Sequence, residues 1–169
     1  MFIRSIQGTL PAVVAACALL AVTSPAHAAL GGEPMQTPSG ATVDRMSTVA
    51  HAASSTSSST TSTSTYTVKQ TTLETGTVIR EYIGSDGTVF GIAWQGAQMP
   101  DLSTLLGSYF PQVQSAVAAQ REQRGGGRGP TNVEQSGLVV HVGGHMGSFV
   151  GQAYLPSALP SGVAASDIQ

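Results

Sequence analysis

The stretch that decides the fold is YTVKQTTLETGTVIREYIGSDGTVFGIAWQG, residues 66–96. Apolar and polar residues alternate along it, and two glycine-containing turn sequences interrupt the alternation. This two-residue period is typical of antiparallel strands joined by short loops, so the sequence predicts a three-stranded meander. The first turn, Glu74-Thr75-Gly76, fits a loop of two or three residues, which leaves the register of the first strand open.

The second turn predicts how the last two strands of the meander pair. Asp86-Gly87 is a favoured two-residue hairpin loop, because both positions tolerate a positive φ. Such a loop places Ile83 opposite Phe90 and Glu81 opposite Ile92. The predicted core face then consists of five apolar residues: Ile79, Ile83, Phe90, Ile92 and Trp94.

A change of period follows the meander and predicts a helix. One apolar face with spacings of three and four is formed by Leu102, Leu105, Leu106, Tyr109, Val113 and Val117. Asp101 is placed to cap its N-terminus. Pro111 predicts a break near Phe110, because proline lacks an amide hydrogen, and a second helical segment is expected to about Gln123.

The C-terminal part of the chain alternates again. Residues 138–142 and 146–155 predict two strands, and Gly143-Gly144 between them predicts a two-residue hairpin turn. In that register His141 and His145 point to opposite sides of the sheet, so they are not expected to share a metal ion.

These patterns together predict an α+β domain over residues 66–155. Its antiparallel sheet of about five strands, the meander plus the C-terminal hairpin, has one kinked helix packed on a face. A barrel-like or two-sheet closure is the structural alternative, because both faces of the central hairpin carry apolar residues. Residues 156–169 are expected to form a C-terminal tail, whose last five residues, ASDIQ, are exposed.

The first 28 residues have the pattern of a secretory signal peptide. A positive charge at Arg4 precedes an apolar stretch over residues 10–22, which is too short for a transmembrane span of about 20 residues. Small residues then precede a cleavage site between Ala28 and Ala29. The protein is therefore expected to be exported, periplasmic or secreted, from a Gram-negative bacterium, with no transmembrane span after processing.

The one cysteine, Cys17, lies within the apolar part of this signal. A lipoprotein signal through Cys17 is the alternative, but the apolar run continues beyond it. After cleavage at Ala28 the chain has no cysteine, which excludes disulfides, thiolate metal ligands and thiol catalysis.

Two segments separate the signal from the predicted domain. Residues 29–50 contain two prolines and three glycines with little periodicity, and they predict an extended N-terminal arm. Residues 51–65, HAASSTSSSTTSTST, cannot bury enough apolar area to offset chain entropy, so they predict a flexible linker. An O-glycosylated stalk is the alternative for this tract.

Composition and motifs exclude several functional classes. Only 9% of the 169 residues are charged and the net charge is −2, so neither nucleic acid nor an anionic membrane surface is an expected partner. The sequence holds no zinc-binding His-Glu-x-x-His, no phosphate-binding glycine loop and no nucleophile elbow. Neither a cofactor nor a metal ion is predicted.

Four residues are candidates for contacts with a ligand or partner: Glu81, Tyr82, Trp94 and His145. Glu81 would lie among isoleucines on the core face, where a carboxylate needs a partner such as Lys69 or its pKa rises. Tyr82 and Trp94 are placed to line a groove, although core packing explains Trp94 more simply. His145 belongs to the predicted hairpin turn.

Several separated blocks of the chain resemble a known family. They are ALGGEPMQTPSG, GTVIREYIGSDGTVFGIAWQG, MPDLSTLLGSYF and GGHMGSFVGQAYLPSALPSGVAASDIQ. In this order they are similar to the domain of unknown function 2844. The resemblance covers nearly all of residues 29–169 and implies a secreted proteobacterial protein. It carries over no activity, cofactor or catalytic residue.

Two functional classes stay open. The favoured one is a non-catalytic binding or accessory module of the cell envelope, whose partner is another envelope or periplasmic protein. The alternative is a small hydrolase-like enzyme that uses Glu81 with His141 or His145. A pocket that brings a carboxylate and a histidine within hydrogen-bonding distance would favour the enzyme.

Overall fold

A single antiparallel sheet forms most of the protein. A computed structural model describes residues 29–53, 62–127, 129–135 and 137–169. The strands are β1 (Thr42–Ala53), β2 (Ser62–Thr72), β3 (Val78–Ile83), β4 (Val89–Gly96), β5 (Thr131–Gln135), β6 (Leu138–His145) and β7 (Ser148–Tyr154). Their spatial order is β1-β2-β3-β4-β7-β6-β5, so the described strands form an open sheet rather than a closed barrel. Leu30 adds one parallel bridge to Val89.

The α+β class is confirmed, but the sheet has seven strands in the described part of the chain, two more than the expected number of about five. The first extra strand, β1, lies in the segment predicted as an arm, and the second, β5, follows the glycine-rich loop. β5 was missed because its sequence, TNVEQ, contains a single apolar residue, Val133. Its other side chains face solvent at the sheet edge, where no alternation of apolar residues is required.

The kinked helix is confirmed. Helix α1 (Leu102–Leu106) leads through a 3₁₀ turn into α2 (Phe110–Gln123), whose first turn contains Pro111. The carboxylate of Asp101 accepts a hydrogen bond of 2.9 Å from the amide of Ser103 and caps α1. A proline is tolerated at the start of α2 because the amides of the first turn have no partner inside the helix.

The sheet has two buried faces. The one we call the helix face packs against α1 and α2 and includes Ile79, Ile83, Val89, Ile92, Trp94, Val133, Val140 and Ala153. The other, the tail face, packs against residues 159–168 and includes Tyr66, Tyr82, Phe90 and Ala93. Both faces of the central strands β3 and β4 therefore carry buried apolar residues, as expected for strands covered on both sides.

The predicted register of β3 and β4 is confirmed at Ile79 opposite Trp94 and at Glu81 opposite Ile92. It is wrong at the end of the hairpin, where Ile83 lies opposite Val89 and Phe90 has no partner. The loop has three residues, because the amide of Gly84 donates to the carbonyl of Thr88. A bulge at Phe90 then restores the register and turns this side chain to the tail face.

The N-terminal segments belong to the domain. Residues 29–50 do not form a separate arm, because Ala29, Leu30 and Met35 are buried in the core and Thr42–Ala53 pairs with β2. In the predicted linker, residues 51–53 and 62–65 are strand, since backbone pairing needs no apolar side chain. Residues 54–61, and the predicted signal peptide with Ala28, lie outside the described residues.

Two expectations for the C-terminal part are wrong. The β6–β7 turn lies at Met146-Gly147, so Gly143 and Gly144 are inside β6 and not in a turn. The tail is not exposed: Val163 and Ile168 are buried against the tail face. It packs there because Gly91 lacks a side chain, and a Cβ at Gly91 would lie 2.7 Å from Ile168 Cδ1.

No helix in the described part of the chain is both long and apolar enough to cross a membrane.

Candidate functional site

A row of mostly polar side chains crosses the tail face. Direct strand pairing places Arg80 opposite Ala93, Ala93 opposite Gln152, Gln152 opposite His141 and His141 opposite Asn132. Directly opposed residues point to the same side of a sheet, so the row runs continuously over β3, β4, β7, β6 and β5. Four of its five members can form hydrogen bonds.

A pocket of about 480 Å³ lies along this row. It is lined by Arg80, Ala93, Trp94, Gln95, Pro130, Asn132, His141, Val142, Gly143, Val150, Gly151, Gln152 and Gln169. Its volume falls within the range of about 300–1,000 Å³ that small-ligand sites occupy. One wall comes from the edge strand β5, and the last described residue of the tail, Gln169, contributes the opposite wall.

The pocket exists because Gly143 has no side chain. Gly143 lies two residues from His141 on β6 and therefore faces the same side. Among the described residues, a Cβ built on Gly143 would meet no atom within 4 Å apart from its chain neighbours, so the space above it is open there. A glycine inside a strand often marks a place where a ligand or another backbone comes close to the sheet.

The polar groups of the pocket are held by neighbouring side chains. Arg80 donates from Nε to Gln70 Oε1 at 3.3 Å and from Nη1 to the backbone carbonyl of Gln169 at 2.9 Å. Gln152 Nε2 lies 3.3 Å from His141 Nδ1, and His141 Nε2 lies 3.4 Å from Glu134 Oε1. If Gln152 donates to Nδ1, the proton of the neutral imidazole sits on Nε2 and points to Glu134.

His141 and Glu134 form an exposed pair beside the pocket. Glu134 is 72% exposed and the pair lies at the rim of the sheet. The described lining contains no serine, threonine or cysteine that could act as a nucleophile. Within the described residues, no group of three or more His, Cys, Asp or Glu side chains is arranged to hold a metal ion.

Glu81 lies on the helix face, on the other side of the sheet from the pocket. Its side chain is fully buried; Oε1 accepts a 2.6 Å hydrogen bond from the amide of Met35, and Oε2 lies 3.2 Å from Lys69 Nζ. Lys69 also donates to the carbonyl of Met35. Burial raises the pKa of Glu81, while the Met35 amide and Lys69 act in the opposite direction. Lys69 is the partner that was expected for Glu81. Because both side chains also bond to the backbone of Met35, they attach the N-terminal segment to the sheet.

Tyr82 is buried on the tail face and holds the tail. Its hydroxyl donates to the carbonyl of Gln169 at 2.9 Å and accepts from the amide of the same residue at 3.0 Å. Its ring contacts those of Tyr66 and Phe90, with centroids 6.1 and 6.2 Å away. Burial raises the pKa of Tyr82, so the hydroxyl stays protonated and able to donate.

The other two candidate residues, Trp94 and His145, do not lie together. Trp94 is 1% exposed, and its side chain packs in the core of the helix face. The residue also borders the pocket. His145 is exposed at the end of β6, opposite Ser148, and its Nδ1 lies 3.0 Å from the carbonyl of Met146. The prediction that His141 and His145 point to opposite sides of the sheet is wrong: both lie on β6, four residues or roughly 13 Å apart, and the regular pairing with β7 places them on the same face.

The structure therefore gathers residues that sequence reasoning had not chosen. Arg80, Asn132 and Gln152 form the polar row, and Gly143 opens the pocket. The available signal was the second glycine-containing turn sequence, Met146-Gly147, which leaves Gly143 and Gly144 free to lie inside the strand. Asn132 could not be found because its strand was not predicted.

Comparison with known proteins identifies the family. The chain matches the family model described as "Protein of unknown function (DUF2844)" over residues 26–168, and it belongs to that family. No curated protein and no solved structure matches the chain.

Proposed function

We propose that this protein is an exported, non-catalytic binding module of the cell envelope, and that its ligand occupies the pocket on the tail face. One observation carries the proposal. The pocket is an open cavity of about 480 Å³ whose polar lining consists of amides, an imidazole and a guanidinium, without a serine, threonine or cysteine among its described residues. Such groups can hold and orient a ligand by hydrogen bonds.

The position of Glu81 argues against the hydrolase alternative. Glu81 is buried on the helix face, whereas His141 lies on the tail face, so the sheet separates them. The carboxylate is engaged by Met35 and Lys69, and these contacts give it a structural role. His145 is exposed at a strand end and does not border the pocket.

Ligand-observed and protein-observed NMR would test binding. Short peptides, N-acetylated sugars and dicarboxylates would each be titrated into ¹⁵N-labelled protein. We expect at least one class to shift the amide signals of Gly143 and Gln152, and Gly143→Ile to remove the shifts. If no class shifts them, or if Gly143→Ile leaves them unchanged, the proposal is wrong.

A hydrolase panel would test the absence of catalysis. We expect no turnover of ester, amide or glycoside substrates by the purified protein. Turnover that disappears in Glu81→Gln or His141→Ala would overturn the proposal, because these variants remove the residues that the enzymatic alternative requires.

Export has its own test. N-terminal sequencing of the exported protein should give Ala29 as the first residue, because Ala26 and Ala28 are the small residues before the cleavage site. A different first residue, or a lipid on Cys17, would contradict this part of the proposal.

A further inference from the structure

The tail face already binds one segment of the chain, the C-terminal tail, whose last two residues follow the 3₁₀ helix Ala165–Asp167. Arg80 and the hydroxyl of Tyr82 both donate to the carbonyl of Gln169, and the amide of Gln169 donates to Tyr82. The preceding side chain, Ile168, is fully buried against Gly91. Side chains of the sheet therefore hold the main chain of this segment, and a strand glycine accommodates its aliphatic side chain.

The pocket next to the tail has a similar arrangement. Gly143 is a second strand glycine on the same face, but no atom of the described residues other than its chain neighbours lies within 4 Å of the position of its Cβ, whereas Gly91 is covered by Ile168. The amides of Gln95, Asn132 and Gln152 border the pocket and each provide a donor and an acceptor. A peptide main chain presents the complementary carbonyl and N–H groups.

Apolar surface is available beside these amides. Val150 is 52% exposed although it belongs to a central strand, and it lines the pocket together with Pro130. Gly143 lies directly opposite Val150 in the sheet. An aliphatic side chain placed above Gly143 would contact Val150 and remove its apolar surface from water.

We propose that the pocket binds a short extended peptide segment of a partner protein, with one aliphatic side chain above Gly143 and its main chain bonded to Gln152 and Asn132. The peptide lies beside Gln169, on the same face that holds the tail. This inference rests on the proposed function, because it names the ligand class of the same pocket.

A random heptapeptide phage library panned on the purified protein would test the inference. We expect enriched peptides that share an aliphatic residue. Gly143→Ile should weaken their binding at least tenfold, because the new side chain occupies the pocket. Gln152→Ala should weaken it about fivefold, as expected for one hydrogen bond.

Ser148→Ile is the matched control. Ser148 is exposed on the adjacent strand of the same hairpin and does not line the pocket, so this variant adds the same side chain without filling the site. Circular dichroism and thermal melting would establish that all three variants are folded. Peptides should bind Ser148→Ile as they bind the unchanged protein.

The outcomes separate the two proposals. If the library yields no enriched peptide, or if the selected peptides bind Gly143→Ile as well as the unchanged protein, the peptide inference is wrong. If sugars or dicarboxylates alone shift the pocket amides in the NMR titration, the peptide inference fails and the proposed function stands. If no class binds, both fail.

Discussion

The two faces of the sheet are made by the same strands but are covered in different ways. On the helix face, α1, α2 and residues 29–35 leave Trp94 and Glu81 fully enclosed. On the tail face, residues 159–168 cover only the part around Tyr82, and the remainder is the open pocket at Gly143. The helix face is therefore the more completely packed side, and the tail face is the side on which we propose that a ligand binds.

The largest expected effect comes from removing the Trp94 side chain, the largest fully buried side chain in the described part of the chain. Trp94→Ala should reduce the free energy of unfolding by about 3–5 kcal/mol, because it leaves a large cavity in an enclosed core. Urea unfolding followed by circular dichroism would measure it. Trp94→Phe is the control and should cost less, since part of the volume is retained. A near-normal stability of Trp94→Ala would contradict the distinction between the faces.

The corresponding change on the tail face is Ile168→Ala. Ile168 is fully buried and covers Gly91, so the loss should be about 2–4 kcal/mol. Hydrogen–deuterium exchange should show faster exchange in residues 159–169 and unchanged protection in the helix. If the free energy of unfolding and the exchange rates of residues 159–169 were both unaltered, the packing of the tail against this face would not contribute to stability.

The buried ion pair of the helix face gives a smaller effect that depends on pH. Lys69→Met should cost about 2–3 kcal/mol at neutral pH, because Glu81 would be left as a buried carboxylate without its cation. Glu81→Gln should cost less, since the new amide oxygen can still accept from the Met35 amide.

The sign of the pH dependence follows from burial. Because burial raises the pKa of folded Glu81 above its ordinary value of 4.5, its contribution to stability is fully present below that pH. The contribution is lost as the pH rises through the folded pKa. The stability of the unchanged protein relative to Glu81→Gln should therefore decline from pH 4.5 upward. A difference that grows with pH would show that Lys69 and Met35 outweigh burial.

Much of the fold was readable from the sequence where local patterns decide it. The alternation around Glu81 and Trp94 predicted the pairing of β3 with β4, and Asp101 and Pro111 predicted the cap and the break of the helix. The edge strand β1 was not readable, because its Ser/Thr-rich partner gives no apolar signal and its pairing depends on backbone hydrogen bonds. Long-range pairing of this kind is not encoded in residue periodicity.

The candidate site was less readable than the fold. Gly143-Gly144 has the composition of a hairpin turn, but the turn lies at Met146-Gly147. Gly143 is therefore inside β6, where it lines the pocket. The polar row unites residues from five strands, so it appears only when the strand order is known. Glu81, the most conspicuous polar residue of the meander, serves the stability of the opposite face.

The smallest expected effect comes from two glycines on neighbouring strands. They compare the packing of the two faces of the sheet directly. Gly151 lies opposite Trp94, and a Cβ there would be 2.2 Å from Trp94 Cζ2, whereas a Cβ at Gly143 would meet no atom within 4 Å. Gly151→Ala should therefore destabilise the protein by about 1–3 kcal/mol, because the filled helix face must shift. Gly143→Ala should instead stabilise it by about 0.5–1 kcal/mol, since alanine loses less backbone entropy on folding and nothing obstructs its methyl group. Thermal and urea unfolding of both variants would measure the two signs. If Gly143→Ala were as destabilising as Gly151→Ala, the tail face would be as closely packed as the helix face, and the pocket would not be open to a ligand.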